Sequence, residues 1–142
     1  MHTIRQVLGN KGEQVFSVST DDTVLKAIHE MATKGVGALL VMDDGRLYGV
    51  FSERDYARKI ILAGRSSRET RVGEVCSSPA VTIEPGATAQ QGLAEMTEKR
   101  FRHLPVVEDE RLIGIVSIGD LVNAVLHDQQ QLIDQLERYV TG

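Results

Sequence analysis

The chain repeats itself. Gly49-Val50-Phe51-Ser52-Glu53-Arg54-Asp55 lies over Gly114-Ile115-Val116-Ser117-Ile118-Gly119-Asp120 at an offset of 65 residues, and the alignment runs back without a gap to Phe16 over Val81. A dozen of its positions are identical, among them Thr23/Thr88, Met31/Met96, Arg46/Arg111 and Leu47/Leu112. A match of that density marks a tandem duplication, which restricts the fold to two similar units. A second match, shifted to 68 residues, sets Ile4, Val7 and Leu8 over Val72, Val75 and Cys76. The first copy therefore has the longer lead-in loop, residues 9–14. The copies divide the chain into residues 1–66, repeat one with its lead-in, and 67–142, repeat two with a linker and a C-terminal helix.

Both copies read in one order. A short apolar strand opens each, at 15–18 and 80–83. A helix follows. In copy one, Thr20 or Asp21 can cap it, and Val24, Leu25, Ile28 and Met31 give a stripe at helical spacing. In copy two, Pro85-Gly86 turns the chain, and Leu93 and Met96 carry the stripe. Two strands then flank a tight polar turn, 38–42 and 47–51 in copy one, 104–107 and 112–116 in copy two. Ser52 and Ser117 are good caps for a second helix. The order β-α-β-β-α, stated twice, predicts an α/β fold of two tandem repeats related by a pseudo-two-fold axis. Copies of ~60 residues have little core alone, so the pair is expected to behave as one globule with a C-terminal helical extension.

Composition closes off several functions. At 142 residues with 42% hydrophobic and 25% charged side chains, this is an ordinary globular balance. No apolar run is long enough for a membrane span, and Met1-His2-Thr3-Ile4-Arg5 is not a secretory signal. The lone Cys76 makes no internal disulfide, which fits a cytoplasmic protein, and reads as a small buried hydrophobe. A net charge of −4 and the absence of Trp argue against a nucleic-acid partner. His2, His29, His103 and His127 have no metal-ligand spacing, so no metal is expected. No nucleophile–base set and no P-loop is present, so no catalytic residue is named and an enzyme is not expected.

The tail departs from the repeat. Val122, Val125, Leu126, Leu132, Ile133, Leu136 and Val140 recur at helical spacing, with Gln129 the one polar member of the stripe. The stripe either covers the domain's own flank or packs against a second chain, and its reach beyond the repeat favours the second chain.

Two copies of this element order, each with Gly-apolar-x-Ser-x-x-Asp at the last strand-to-helix junction, resemble a pair of CBS domains, also called a Bateman module. Ser52-Glu53-Arg54-Asp55 and Arg100-Phe101-Arg102-His103-Leu104-Pro105-Val106 resemble a group of small stand-alone bacterial members. The resemblance implies a non-catalytic sensor that binds an adenine nucleotide (AMP, ADP, ATP, S-adenosylmethionine or NADH) reversibly in the cleft between the copies. It further implies a homodimer and a protein effector that the sequence does not name. The alternative is a dimerisation or partner-docking module with no tight ligand.

The resemblance assigns the site residue by residue. Asp55 and Asp120 would anchor ribose, with Ser52 and Ser117 as hydroxyl partners. Val15, Phe16, Ser17 and Val18, and in copy two Val81, Thr82, Ile83 and Pro105, would line adenine pockets. Arg102 and His103 resemble, in swapped order, the His-Arg pair that contacts phosphate in one repeat of the AMP-activated protein kinase gamma subunit. Arg54 and Arg58, on the first junction helix, could reach the same central cleft, or be solvated or paired with nearby acids. The residues support this independently: a carboxylate can accept two hydrogen bonds from a cis-diol, and an Arg fork matches phosphate. The plain alternative for each Ser/Asp pair is an ordinary helix-capping box. Gly35, Gly37 and Ala38 stand where copy two has Arg100, Arg102 and His103, leaving room for a bulkier ligand or an empty site.

Overall fold

Ile4, Val7 and Leu8 fall on one face of a short helix, α1 (Ile4–Lys11), and all three are buried. The computed structural model describes residues 1–11 and 15–141, so residues 12–14 of the expected lead-in loop lie outside the described residues. The first repeat continues as β1 (Ser17–Ser19), α2 (Val24–Lys34), β2 (Ala38–Asp43) and β3 (Arg46–Ser52). β1 lies parallel to β2, and β2 pairs antiparallel with β3, giving a three-stranded sheet. A single turn, α3 (Glu53–Asp55), leads into a π-helical turn at Tyr56–Ile61. A second short helix, α4 (Val72–Val75), precedes the second repeat. That repeat carries α5 (Ala89–Lys99), the hairpin β4 (His103–Glu108) with β5 (Arg111–Ser117), and the long α6 (Ile118–Thr141).

Several expectations need correction. Thr23, not Thr20 or Asp21, caps α2, its side chain accepting from the Lys26 N–H. The Asp22 carboxylate accepts from the Ser19 N–H instead, so the chain is still turning at 20–22. The strand expected at 80–83 is reduced to one bridge, Ile83 to Val106. In copy one the Leu40 N–H donates to the Phe16 carbonyl at 3.1 Å. The matching donor in copy two is Pro105, which has no N–H, so that rung cannot form. The expected uniform helix after Ser52 is a short α-turn followed by the π-turn, with Leu62 N–H bonded to the Ala57 carbonyl.

The compact units are not the sequence copies. One is Gln14–Val81; the other joins Met1–Glu13 to Thr82–Gly142. The segment before each repeat therefore belongs in space to the other repeat. Val72 N–H donates to the Asp22 carbonyl at 2.8 Å and Gly73 N–H to Thr20 at 3.0 Å, while Val24 N–H donates to Thr70 at 2.9 Å. Ile4, Arg5 and Ala89 make the matching bonds to Ala87, Pro85 and His2 at 2.8, 3.0 and 3.0 Å. Apolar burial follows the same exchange. Val72 and Val75 complete the core of Gln14–Val81 with Leu39, Val41, Phe51 and Ile60. In the other unit, Ile4, Ile83 and Leu121 converge on Gly92. Each large side chain so buried contributes roughly 1.5–3 kcal/mol.

Candidate functional site

The Ser/Asp junction forms in both repeats as a strand-to-helix capping box. In the first, the Asp55 Oδ2 accepts from the Ser52 N–H at 3.0 Å, and the Asp55 N–H donates to Ser52 Oγ at 3.1 Å. In the second, the Asp120 Oδ2 accepts from the Ser117 N–H at 2.8 Å, and the Asp120 N–H donates to Ser117 Oγ at 3.1 Å. The box halts the strand and starts the helix, satisfying helix N–H groups that have no partner inside the helix.

Beyond the box the two carboxylates differ. Asp55 is buried, at 7% exposure. Its Oδ1 accepts from Ser77 Oγ at 3.1 Å and lies 3.2 Å from Lys59 Nζ, which also donates to the Val75 carbonyl. Asp55 thus ties the repeat to the segment after it. Burial pushes the adjacent Cys76 thiol up from its ordinary value, and the negative charge of Asp55 adds to that shift. Cys76 is buried as expected and is held as the inert thiol. Asp120 is only partly buried. The positions that match Ser77 and Lys59 are Gly9 and Ala124, which carry no polar side-chain group. Ser77 and Lys59 escaped the sequence reading, although Lys59 stands four residues from Asp55 at helical ion-pair spacing.

The second unit gathers its candidates closely. His103 is the strand partner of Ser117, and the Ile118 N–H donates to the Arg102 carbonyl at 2.9 Å. Arg102, His103, Ser117 and Asp120 therefore surround the N-terminal turn of α6, with Arg102 exposed and His103 partly so. The first unit has the same backbone, with the Glu53 N–H on the Gly37 carbonyl and Ala38 opposite Ser52. Its small residues do leave space: an open cavity of about 560 Å³ is lined by Gly35, Val36, Gly37, Met31, Glu53 and Tyr56 among others. Arg54 is half-buried on α3 and Arg58 is exposed on the π-turn.

The opening segments are less available than expected. Val18, Ile83 and Pro105 are buried in their own units. Phe16 rests on the core with the Lys34 ammonium 5.3 Å over its ring. Val15 and Val81 are half-buried, and Ser17 and Thr82 are exposed. Ile83 is locked by bonds from its N–H to the Pro105 carbonyl and from the Val107 N–H to its own carbonyl. Among the described residues, no three His, Cys, Asp or Glu side chains come together as a metal site.

Fold, repeat and junction boxes together define a tandem pair of α/β repeats. The CBS domain family model matches residues 10–62 and 72–127, and the chain belongs to that family as a tandem pair. It is similar to a CBS-domain protein of Burkholderia ambifaria, with 45% identity and a TM-score of 0.85 over 89% of this chain and 96% of that one. It is 40% identical to the mitochondrial CBS domain-containing protein CBSX3 of Arabidopsis thaliana, over 99% of this chain and 72% of that protein. Hypoxic Response Protein I, solved with two coordinated zinc ions, matches at 29% identity and a TM-score of 0.72, over 85% of this chain and 97% of that one. Among the described residues, no helix is long and apolar enough to cross a membrane.

Proposed function

We propose that this protein is a non-catalytic sensor that binds an adenine nucleotide (AMP, ADP, ATP or NADH) at the second repeat. The observation that carries the reading is the cluster of Arg102, His103, Ser117 and Asp120 around the first turn of α6. Asp120 offers a carboxylate to ribose hydroxyls, and Arg102 offers a fork to phosphate. The positive end of the 24-residue α6 favours the same anion. In the first repeat, Asp55 is committed to Ser77 and Lys59 and acts as a structural tie. A ligand regulates only by favouring one state of the protein over another, so binding here acts through the segments that the second unit holds.

The test is thermal unfolding against AMP, ADP, ATP and NADH, with Asp120→Ala and Asp55→Ala alongside. A ligand at ~100 times its dissociation constant adds about 2.7 kcal/mol, a rise of several degrees. Asp120→Ala is expected to abolish that rise and to lower the unliganded midpoint only by the loss of its half of the capping box, about 1 kcal/mol. Asp55→Ala is expected to lower the unliganded midpoint, by about 2–3 kcal/mol of stability, and to keep the rise. A rise with none of the four nucleotides overturns the sensor reading. A rise that Asp55→Ala abolishes and Asp120→Ala spares overturns the assignment to the second repeat.

A further inference from the structure

The open cavity of about 560 Å³ lies wholly within the unit Gln14–Val81, and the junction chemistry does not use it. α2 contributes Ile28, Met31 and Ala32 to its lining, and the turn after α2 contributes Val36. Tyr56 and the exposed Glu53 come from the segment after β3. Ser52 and Asp55 do not line it, and Asp55 is taken up by Ser77 and Lys59. Its size falls in the range of roughly 300–1,000 Å³ typical of small-molecule sites, whose walls are mostly apolar with a few polar groups.

The duplication shows which residues open it. In the second repeat Phe101 stands at the place of Val36, Thr97 at that of Ala32 and Arg100 at that of Gly35. The backbone does not demand glycine at 35. Gly35 ends α2 in the left-handed region at φ 67°, and Arg100 ends α5 in the same region at φ 61° with a full side chain. A Cβ on Gly35 would meet nothing within 4 Å. The space therefore comes from the side chains of this copy and not from the shared scaffold.

The charge of the lining has one sign. Glu53 is the one charged residue among the described lining residues, and its carboxylate has no ion-pair partner among the described residues. The second repeat has Ile118 at that position. Lys34, beside Gly35 in sequence, is engaged with the Phe16 ring at 5.3 Å. The Glu53 N–H is already bonded to the Gly37 carbonyl at 3.0 Å, so this helix start holds no such donor ready for an anion. An anion in the cavity would meet the Glu53 carboxylate, whereas a cation with an apolar body gains both the carboxylate and the apolar wall.

We infer that this cavity binds a small organic cation, with an ammonium group against Glu53 and an apolar or aromatic body held by Ile28, Met31, Val36 and Tyr56. The inference goes beyond the nucleotide reading and is independent of it, since the ligand has the opposite charge and belongs to the other repeat.

The test titrates tryptamine, and indole-3-propionate as its anionic counterpart, into the ¹⁵N-labelled full chain, followed by the backbone amides of Gly35, Val36 and Gly37. Tryptamine is expected to shift these amides with a dissociation constant of about 1 mM or tighter. Indole-3-propionate is expected to bind about tenfold more weakly. Glu53→Gln should weaken tryptamine by about fivefold, as suits an exposed ion pair, and should erase the preference between the two indoles. Val36→Phe, which installs the residue of the second repeat, and Ala32→Leu, at an exposed helix position, should each fill the cavity and abolish the shifts. Ala32→Leu should keep the wild-type thermal midpoint and any nucleotide-induced rise, and it guards against a packing defect in Val36→Phe. Equal binding of the two indoles, no shift at roughly 10 mM tryptamine, or binding that survives both filling variants overturns the inference. Shifts that appear only on dilution to monomer would mean that a second copy occupies the cavity, and would overturn it as well. Loss of the nucleotide response with tryptamine binding intact would strike the sensor reading and leave this one standing.

Discussion

The two repeats make the same backbone bonds with different side chains. Each receives a foreign lead-in helix through three matching N–H···O bonds, and each hairpin carries its irregularity at the same place, Val41/Met42 in one and Val106/Val107 in the other. The junction Asp is where they part. Asp55 is buried among Ser52, Ser77 and Lys59, whereas Asp120 is only partly buried and bonds to Ser117, the strand partner of His103. Duplication preserved the scaffold, which depends on apolar pattern and main-chain hydrogen bonding. It left the helix starts to diverge into a structural tie and a candidate ligand site.

The glycines that precede the junctions give the strongest way to break this likeness. A Cβ on Gly49 would lie 2.4 Å from the Ser77 carbonyl oxygen, in the bridge that pairs Val50 with Ser77. Backbone held on both sides cannot step away. A Cβ on Gly114 would meet Leu8 Cδ2 at 2.6 Å, the far end of a flexible side chain. Gly49→Ala is therefore expected to cost about 2–3 kcal/mol and Gly114→Ala about 1 kcal/mol, read by urea unfolding of the two variants. Equal costs would mean that Leu8 is as rigid as the Ser77 backbone.

A smaller difference lies in the hairpin turns. Both turns place two residues in the left-handed region: Asp44 and Gly45 at φ 49° and 79°, and Asp109 and Glu110 at 51° and 65°. Gly45 adopts this without a Cβ penalty, whereas Glu110 bears one. Glu110→Gly is expected to stabilise the protein by about 0.5–1 kcal/mol, the relief of the turn exceeding the entropy that glycine adds to the unfolded chain. A lowered thermal midpoint would show that the Glu110 side chain contributes more than its backbone conformation costs.

The apolar runs and polar turns made the hairpins and the paired helices legible, because Leu39, Val41, Phe51 and their counterparts Leu104, Val106 and Val116 are all buried in the hairpins. The exchange of lead-in segments was not legible. It rests on main-chain donors such as those of Val72 and Ile4, which leave no side-chain signature, and chain proximity favoured the wrong neighbour. The missing strand in copy two was readable from Pro105, once the Leu40 N–H is known to be the donor that matters. Half of the candidate site was visible as paired Ser/Asp motifs. The commitment of Asp55 was not, because Ser77 arrives from 22 residues away.

The last contrast concerns the lead-in helices and sharpens under acid. Thr3 and Gln6 cap α1: the Thr3 N–H donates to Gln6 Oε1 at 2.9 Å and the Gln6 N–H to Thr3 Oγ1 at 3.3 Å. At the matching place on α4, the Arg71 N–H donates to the Glu74 carboxylate at 2.8 Å, and Arg65 Nη2 reaches the same carboxylate at 2.9 Å. The Arg71 N–H first, and then Arg65, hold the Glu74 carboxyl below its ordinary value of 4.5. A carboxylate with a depressed folded pKa binds fewer protons folded than unfolded. Its contribution is complete above pH 4.5 and is lost as pH falls through the lower folded value. Gln6 does not titrate. Glu74→Gln should therefore be slightly less stable than wild type at pH 7 and should converge with it in acid, as α4 comes to be capped like α1. Chemical unfolding at pH 7 and pH 3 checks this, since the exposed position keeps the effect small. A difference that is constant across that range would mean that Glu74 acts through its shape and not its charge.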